Sequence, residues 1–295
     1  MGDVITGLWV AMATPLDAVG AVDHAALAKH GRWLLDQGCD GLVPFGTTGE
    51  GTSFSAAERL GATEALLRAG VPTGQIALGT GCPAIPDTVA MTREAMALGL
   101  THALVLPPYF YRDAPEQGLE DAFAAIIDGV GSDRLRLCAY HIPQISGVPV
   151  PAAALARLRT RYGNIVAGVK DSTGDFASFM AFRRAAPDVA ALVGAEPLIA
   201  RAVAEGGLGT ICGMANLVPK LVREMFTNPD AAPRVQAACD TLNGGHFLSN
   251  LKAALASTTG DATWRAVRPP LRAANPTRGA AIANTLATLM ARQPA

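Results

Sequence analysis

The feature that most constrains the fold of this chain is the alternation of short apolar runs with longer segments of helical periodicity. Eight runs rich in Val, Ile and Leu occur: LWVAMA (8–13), DGLVPF (40–45), QIALGT (75–80), HALVLP (102–107), LRLCAY (135–140), IVAGVK (165–170), AALVGA (190–195) and LGTICG (208–213). Each interval has room for a helix and two loops, except the last, which has room for a short helix. Strands that alternate with helices form parallel sheets. Eight such units predict an α/β fold, the (β/α)8 TIM barrel.

The segments between the runs carry helix start and stop signals that do not depend on hydrophobicity. Asp23 precedes a predicted helix over 24–37 as its N-cap, and Gly38 follows it. Ser55 and Glu58 have the spacing of a capping box before a second helix that ends near Gly70.

The chain of 295 residues is long enough for one barrel and an extension. After the eighth run the sequence has helical periodicity again, with an irregular stretch at 267–279. We therefore expect a barrel over 1–216 and a C-terminal helical extension of the same domain over 217–295.

Charge and hydropathy exclude several classes of partner. The 24 basic and 25 acidic residues leave a formal charge of -1, so no broad basic field is available for nucleic acid or anionic lipid. The apolar run at 8–14 is interrupted by Pro15 and is too short for a membrane span. We expect a globular protein whose partners are small molecules, without nucleic acid or membrane.

Cysteines and histidines show no metal-binding pattern. The five cysteines are an odd number, widely spaced and without a C-x-x-C pair, which favours a reducing, cytoplasmic compartment. The five histidines form no H-E-x-x-H or comparable set. The sequence thus predicts no catalytic metal.

Lys170 closes the sixth run, at the end of a barrel strand where active sites of this fold lie. The other lysines (Lys29, Lys220, Lys252) lie in segments predicted as amphipathic helices. Partial desolvation at a strand end favours the neutral amine, which is a nucleophile toward a carbonyl carbon. The alternative is a structural ion pair with Asp171 or Asp175.

Tyr140 closes the preceding run, so it should lie beside Lys170 in the barrel. A phenol there can move protons during addition to a carbonyl. The alternative is a tyrosine that caps the core with its hydroxyl in water. His141 follows it and should point to the opposite face of the strand.

Three further segments at strand ends could bind a substrate. In GTTGEG (46–51), backbone N–H groups and the hydroxyls of Thr47 and Thr48 can converge on a carboxylate; a tight glycine-rich turn is the alternative. The aromatic residues Tyr109, Phe110 and Tyr111 could wall a site, meet another subunit or simply pack together. The glycines of EGGLGTICG (205–213) could cradle a phosphate or allow close packing.

Taken together, the motifs resemble the pyruvate-dependent class I aldolases that include dihydrodipicolinate synthase and N-acetylneuraminate lyase. The resemblance covers nearly the whole chain, through AMATPLD (11–17), GTTGEG (46–51), GTG (79–81), PPYF (107–110), YHIPQISG (140–147), GVKDSTGD (168–175), GMANLVP (213–219) and RPPLRAANP (268–276). It implies that Lys170 forms a Schiff base with pyruvate, that Tyr140 relays protons, and that Thr47 and Thr48 hold the pyruvate carboxylate. It also implies that the backbone of Ile211 lines the keto-acid pocket.

The sequence departs from this family at positions that read the second substrate. Dihydrodipicolinate synthases carry an arginine where this chain has Ile145, and isoleucine cannot replace its charge-assisted contact with a carboxylate. The tyrosine that they contribute across a dimer is Phe110 here, unless Tyr109 or Tyr111 substitutes. The lyase binds sugar hydroxyls through a pair of acidic residues. This chain has Glu196 followed by Pro197 at that place.

The resemblance implies a lyase of carbon–carbon or carbon–oxygen bonds with a class I aldolase mechanism. It would act on pyruvate or another 2-oxo acid and an aldehyde, with no cofactor besides the covalent Schiff base on Lys170. Alternatives are an aldolase or dehydratase of 2-keto-3-deoxy sugar acids, a non-catalytic 2-oxo-acid-binding protein on the same scaffold, and a phosphate-binding barrel enzyme. The family also implies a homotetramer, built as a dimer of dimers.

Overall fold

Eight parallel strands form the centre of the molecule, as a computed structural model shows for residues 4–291. The strands are β1 (Gly7–Met12), β2 (Gly41–Pro44), β3 (Ala77–Gly79), β4 (His102–Val105), β5 (Arg136–His141), β6 (Val166–Asp171), β7 (Ala190–Val193) and β8 (Gly209–Cys212). Each lies within one of the eight apolar runs or within one residue of it. The prediction of eight strands is confirmed.

The sheet is a nearly closed barrel. Its strand order is β2-β1-β8-β7-β6-β5-β4-β3, so β1 pairs with both β2 and β8. A single parallel bridge between Leu42 and Ile76 joins the two ends of this order, β2 and β3. The (β/α)8 TIM barrel is therefore confirmed.

Within residues 4–291, twelve α-helices surround or extend the barrel. They are α1 (His24–Asp36), α2 (Ala56–Arg68), α3 (Ile85–Ala97), α4 (Glu116–Val130), α5 (Pro143–Ser146), α6 (Ala152–Tyr162), α7 (Phe176–Ala185), α8 (Ile199–Ala204), α9 (Pro219–Glu224), α10 (Ala232–Asp240), α11 (Phe247–Thr259) and α12 (Pro276–Ala291). None of the helices within residues 4–291 combines the length and the apolar character that crossing a bilayer requires.

Apolar side chains pack in two layers, one inside the barrel and one between the strands and the helices. The inner layer includes Trp9, Ala11, Tyr140 and Ile211, whereas the outer layer includes Val10, which lies between Trp9 and Ala11. Successive side chains of a strand point to opposite faces. Both faces of each strand are thus buried, which explains the continuous apolar runs of the sequence.

The predicted helix signals are present in the structure. The side chain of Asp23 accepts a hydrogen bond from the N–H of Ala26, and Ser55 and Glu58 form a reciprocal capping box before α2. Gly38 and Gly70 follow the two helices with φ of 91° and 88°, a left-handed conformation in which glycine avoids the strain that a Cβ would cause.

Helices α9 to α12 follow the last strand, and α11 packs against α12. The expectation that Lys252 lies on an amphipathic helix is wrong, because α11 is buried from Leu248 to Ala256 and Lys252 is completely buried within it. The division into 1–216 and 217–295 stays a prediction, and residues 1–3 and 292–295 of those ranges lie outside the described residues.

Candidate active site

Lys170 and Tyr140 occupy directly paired positions on the neighbouring strands β6 and β5. Val169 and Ala139, the residues before them, belong to the outer apolar layer, so the side chains of Lys170 and Tyr140 point into the barrel. The Nζ atom of Lys170 lies 4.2 Å from the centroid of the Tyr140 ring. Only 3% of each residue's surface is exposed, so the amine and the phenol ring are both buried inside the barrel.

The structure does not contain the ion pair that was the alternative role of Lys170. Asp171 Oδ1 accepts hydrogen bonds from the backbone and hydroxyl of Thr173, and Asp175 caps α7 through the N–H of Ala177. Within residues 4–291, no carboxylate lies within salt-bridge distance of Lys170. The amine is therefore left available for a carbonyl substrate.

The hydroxyl of Tyr140 reaches the loop that follows β2. Its oxygen lies 3.2 Å from Oγ1 of Thr47, and either hydroxyl can be the donor. Thr47 is exposed at the mouth of the barrel, whereas the Tyr140 ring is buried inside it. The two hydroxyls thus form a path for a proton between the interior and the mouth.

The loop 46–51 folds on itself and leaves its first N–H groups unused. The N–H groups of Gly49, Glu50 and Gly51 donate to carbonyls of Gly46 and Thr47 within the loop. Those of Thr47 and Thr48 donate to no residue that the structure describes. Two backbone donors and the Thr48 hydroxyl therefore have no partner among the described residues, and the Thr47 hydroxyl is shared with Tyr140. That these groups hold an anion stays a prediction.

Thr48 and Ile211 lie deeper than Thr47. Thr48 is buried, and its Oγ1 lies 3.2 Å from the position that a Cβ on Gly213, just after β8, would take. Ile211 belongs to the inner layer of the barrel, and its backbone pairs with Trp9 of β1. Both residues thus lie at the carboxyl end of the barrel or close to it.

A cavity of about 460 Å³ opens above Tyr140 and Thr47. Of the residues proposed from the sequence, it is lined by Tyr140, Thr47, Tyr109, Phe110 and Ile145. Lys170, Thr48, Ile211 and Tyr111 are not among the lining residues. Tyr111 is 74% exposed and packs edge-on against Phe110. The cavity thus connects the proton path to the aromatic loop after β4.

Two arginines that were not identified from the sequence also line this cavity. Arg112 is exposed at the rim, and its Nε lies 2.7 Å from the position that a Cβ on Gly147 would take, so its side chain lies against the turn after α5. Arg59 is buried and donates to the carbonyls of Phe54 and Gly79, and burial lowers the pKa of its guanidinium. The one local signal for Arg112 was its position directly after the aromatic run.

Glu196 does not line the cavity. Its Oε1 accepts hydrogen bonds from the N–H groups of Gly213 and Met214, and burial raises the pKa of its carboxyl. In this position it fixes the turn after β8 rather than facing a substrate.

His141 lies on the outer face of β5, as predicted. Its Nδ1 accepts a hydrogen bond from the N–H of Val150, and its ring packs edge-on against Phe182 of α7. It pairs in register with Asp171 of β6, one position beyond Tyr140 and Lys170.

The geometry does not support the phosphate-binding hypothesis. Gly206 and Gly207 precede β8 and therefore lie at its amino-terminal end, opposite to the carboxyl ends of β5 and β6, near which Tyr140 and Lys170 lie. Arg201, the basic residue nearest to these glycines in the sequence, stacks on the ring of Phe176.

Metal-binding residues are not clustered in the part of the chain that the structure describes. No group of three His, Cys, Asp or Glu side chains within residues 4–291 could hold a metal ion. The five cysteines are free thiols.

Known proteins with similar sequences and structures agree with this fold. Residues 4–284 match the dihydrodipicolinate synthetase family. The chain is 37% identical over 273 residues to an uncharacterized DapA-like lyase of Chloroflexus aurantiacus, covering 90% of each chain. It is 34% identical to 4-hydroxy-tetrahydrodipicolinate synthase of a Synechococcus species, covering 96% of this chain and 94% of the relative.

Among solved structures, dihydrodipicolinate synthase from Agrobacterium tumefaciens superposes with a TM-score of 0.91 at 32% identity, over 97% of this chain and 99% of that one. The match of sequence and fold thus spans almost the entire chain, including all eight strands and Lys170. The protein belongs to the dihydrodipicolinate synthetase family and is an enzyme of that family.

Proposed function

We propose that the protein is a Schiff-base-forming lyase or aldolase that acts on pyruvate or another 2-oxo acid and an aldehyde. The observation that carries this proposal is the position of Lys170 Nζ, 4.2 Å from the Tyr140 ring, with the Tyr140 hydroxyl 3.2 Å from Thr47 Oγ1. A buried amine without a carboxylate partner and a phenol linked to a second hydroxyl are the groups that imine chemistry needs.

In the first half-reaction, the neutral amine of Lys170 attacks C2 of the 2-oxo acid. The carbonyl oxygen takes up two protons in turn and leaves as water, which yields the imine. Tyr140 is the group placed to deliver and recover these protons, because its hydroxyl exchanges hydrogen bonds with Thr47 at the mouth of the site.

The carboxylate of the 2-oxo acid needs donors near this carbon. We assign that role to the hydroxyls and N–H groups of Thr47 and Thr48, which the loop itself does not use. The backbone of Ile211 lines the same end of the barrel. Fixed donors of this kind hold the substrate carbonyl close to Lys170 and supply part of the rate by orientation.

In the second half-reaction, the imine nitrogen is protonated and loss of a C3 proton converts this iminium to an enamine. C3 of the enamine attacks the carbonyl carbon of the aldehyde, and the aldehyde oxygen takes up a proton. Water then hydrolyses the resulting imine and releases Lys170; cleavage runs through the same steps in reverse. The aldehyde enters through the cavity of about 460 Å³, between Phe110, Arg112 and Ile145. This scheme requires no cofactor.

Two other functions remain as candidates. An aldolase or dehydratase of 2-keto-3-deoxy sugar acids would use the same imine, and the apolar Ile145, 61% exposed at the cavity, favours an uncharged partner at that position. A non-catalytic 2-oxo-acid-binding protein would keep the carboxylate donors and form no covalent bond.

The subunit arrangement is a further part of the proposal. Phe110 and Tyr111 are 79% and 74% exposed, and Phe110 has a φ of 105°. Large exposed aromatic side chains favour a protein interface. We propose a homotetramer in which this loop contacts a second subunit; sedimentation of wild type and of Tyr111→Ser tests it.

The decisive experiment is reduction with borohydride in the presence of pyruvate, followed by mass spectrometry of the peptides. We expect a reduced adduct on the peptide that contains Lys170. Lys170→Ala should remain folded and give no adduct, whereas Lys220→Ala, which removes an exposed lysine, should be labelled like wild type. Thermal stabilisation by pyruvate without any adduct would support the binding protein instead; an adduct on another lysine would refute the assigned mechanism.

A further inference from the structure

A second cavity, of about 320 Å³, lies on the outside of the barrel between α1, the turn after β8 and the end of α11. Its lining includes His30, Trp33, Asn216 and Trp264, with Lys29 and Asp261 among the other residues. It shares no lining residue with the cavity above Tyr140. It is therefore a separate space, which the proposed reaction does not use.

The hydrogen bonds of Asn216 determine which nitrogen of His30 carries the proton. The Asn216 amide nitrogen donates to the carbonyls of Ala11 and Gly213, and its Oδ1 accepts from the N–H of Ala13. Oδ1 lies 3.1 Å from Nε2 of His30, so Nε2 must be the donor of that bond. Burial lowers the pKa of His30 to about 4, and the ring is neutral at pH 7. Its Nδ1 is consequently an acceptor.

This acceptor and a nearby donor have no partner among the described residues. Within residues 4–291, no group donates to His30 Nδ1, and no group accepts from the indole N–H of Trp264. The two residues are 5% and 3% exposed, and their ring centroids are 4.8 Å apart. Neither atom is among the fully buried polar atoms that lack a partner, so each keeps contact with solvent although its residue is largely buried. One acceptor and one donor are thus left for a molecule in the cavity.

Three aromatic rings line the cavity and contact one another. The imidazole of His30 stacks on Trp33 with 5.5 Å between centroids and 17° between planes, and Trp264 meets it at 64°. Trp33 is 38% exposed and forms the solvent side. The aromatic lining and the cavity volume of about 320 Å³, near the lower end for small-molecule sites, favour a small planar ligand.

We propose that this cavity binds a small planar heteroaromatic molecule that carries an N–H donor and a ring-nitrogen acceptor, the chemistry of a benzimidazole or purine ring. The ligand N–H donates to Nδ1 of His30, and its ring nitrogen accepts from the indole of Trp264. Lys29 and Asp261 lie at the same cavity and can contact polar substituents.

The test compares benzimidazole with indene, which has the same fused-ring shape and no nitrogen. Binding to the full-length protein is followed by tryptophan fluorescence and by the indole N–H signals in NMR spectra. We expect saturable binding of benzimidazole, at least tenfold tighter than that of indene, with a shift of the Trp264 N–H signal. Equal affinities, or no saturation up to the solubility limit, would overturn the proposal.

Variants separate the cavity from non-specific binding. Trp33→Ala removes a wall and should weaken benzimidazole at least tenfold, whereas Arg32→Ala, an exposed neighbour on the same helix, should bind like wild type. His30→Phe keeps a ring and removes the acceptor; if it is folded and still binds benzimidazole at wild-type strength, the assigned contact is wrong. Because the readout is binding at this cavity, failure here leaves the pyruvate adduct on Lys170 unaffected.

Discussion

Lys252 and Glu50 form an ion pair that solvent does not reach, with 2.7 Å between Nζ and Oε1 and 202 residues between them in sequence. The other carboxylate oxygen of Glu50 accepts a hydrogen bond from the N–H of Arg268. Glu50 has a φ of 56°, a left-handed conformation that is uncommon for a residue with a side chain. The pair thus ties the loop that carries Thr47 and Thr48 to the C-terminal helices.

Removing one partner of this pair should destabilise the fold strongly. Burial lowers the pKa of Lys252, and the carboxylate of Glu50 opposes that shift. In Lys252→Met the carboxylate stays buried without a cation, and we expect the free energy of unfolding to fall by about 3–5 kcal/mol. Urea denaturation measures this loss.

Two variants serve as controls for that prediction. Lys220→Met removes an exposed lysine and should change stability by less than about 0.5 kcal/mol. Lys252→Met combined with Glu50→Gln also removes the uncompensated charge, so it should recover part of the loss. A double variant no more stable than Lys252→Met would show that the charge of Glu50 is not the cause.

The barrel could be predicted because burial on both faces makes each strand a continuous apolar run. Against that background a polar residue at the end of a run is conspicuous, and this is how Lys170 and Tyr140 could be found. The burial of Lys252 could not be predicted, because an isolated lysine in a helical pattern looks the same whether it faces water or a carboxylate. Its partner Glu50 lies 202 residues away, and no local periodicity links the two.

Arg112 shows the same limit at the candidate site. Its contact with the turn at Gly147 joins two loops that follow different strands, and loop-to-loop contacts leave no pattern in the sequence. Thr47 was accessible to sequence reasoning because the hydroxyls lie between glycines in one short loop. The sequence could not show that Ile145 lines the cavity and that Glu196 does not, because both placements depend on the fold.

His30 should make the protein less stable in mild acid. Burial lowers its pKa from 6.5 to about 4, so between these values the unfolded chain binds a proton that the folded chain does not. Stability from this residue is complete above pH 6.5 and is lost as the pH falls toward 4, by roughly 3 kcal/mol in total.

The measurement is urea denaturation between pH 7 and 4. His30→Phe has no titrating group at this position and should show a flatter dependence on pH, whereas His24→Gln, an exposed histidine of the same helix, should follow wild type. An unchanged slope in His30→Phe would assign the acid sensitivity to other groups.

Arg112 should discriminate between aldehydes by charge. It is the exposed guanidinium at the cavity rim beside Ile145. A charge-assisted hydrogen bond contributes about 1.5–3 kcal/mol, so Arg112→Met should raise KM about 10- to 100-fold for aldehydes with a carboxylate. Neutral aldehydes of the same size should be unaffected, and Arg272→Met, at an exposed arginine elsewhere, should leave both classes unchanged.

Gly147 gives an independent check of the same side chain. A Cβ at this position would lie 2.7 Å from Arg112 Nε, and its φ of 74° already disfavours other residues. Gly147→Ala should therefore displace Arg112 and reproduce its selective effect on anionic aldehydes. If Arg112→Met slows the reaction of anionic and neutral aldehydes equally, Arg112 contributes to the shape of the rim and does not recognise the charge of the aldehyde.

Tyr140→Phe separates the ring of this residue from its hydroxyl. The ring that lies 4.2 Å from Lys170 Nζ is kept, and the bond to Thr47 Oγ1 is lost. General acid–base catalysis contributes about 10²- to 10⁴-fold, so kcat should fall within that range while pyruvate can still be trapped on Lys170 at a lower rate. Thr47→Val should slow trapping in the same way, and Thr47→Ser, which keeps the hydroxyl, should restore most of it. Wild-type trapping rates in Tyr140→Phe would mean that the proton reaches the carbonyl oxygen by a route that does not include this phenol.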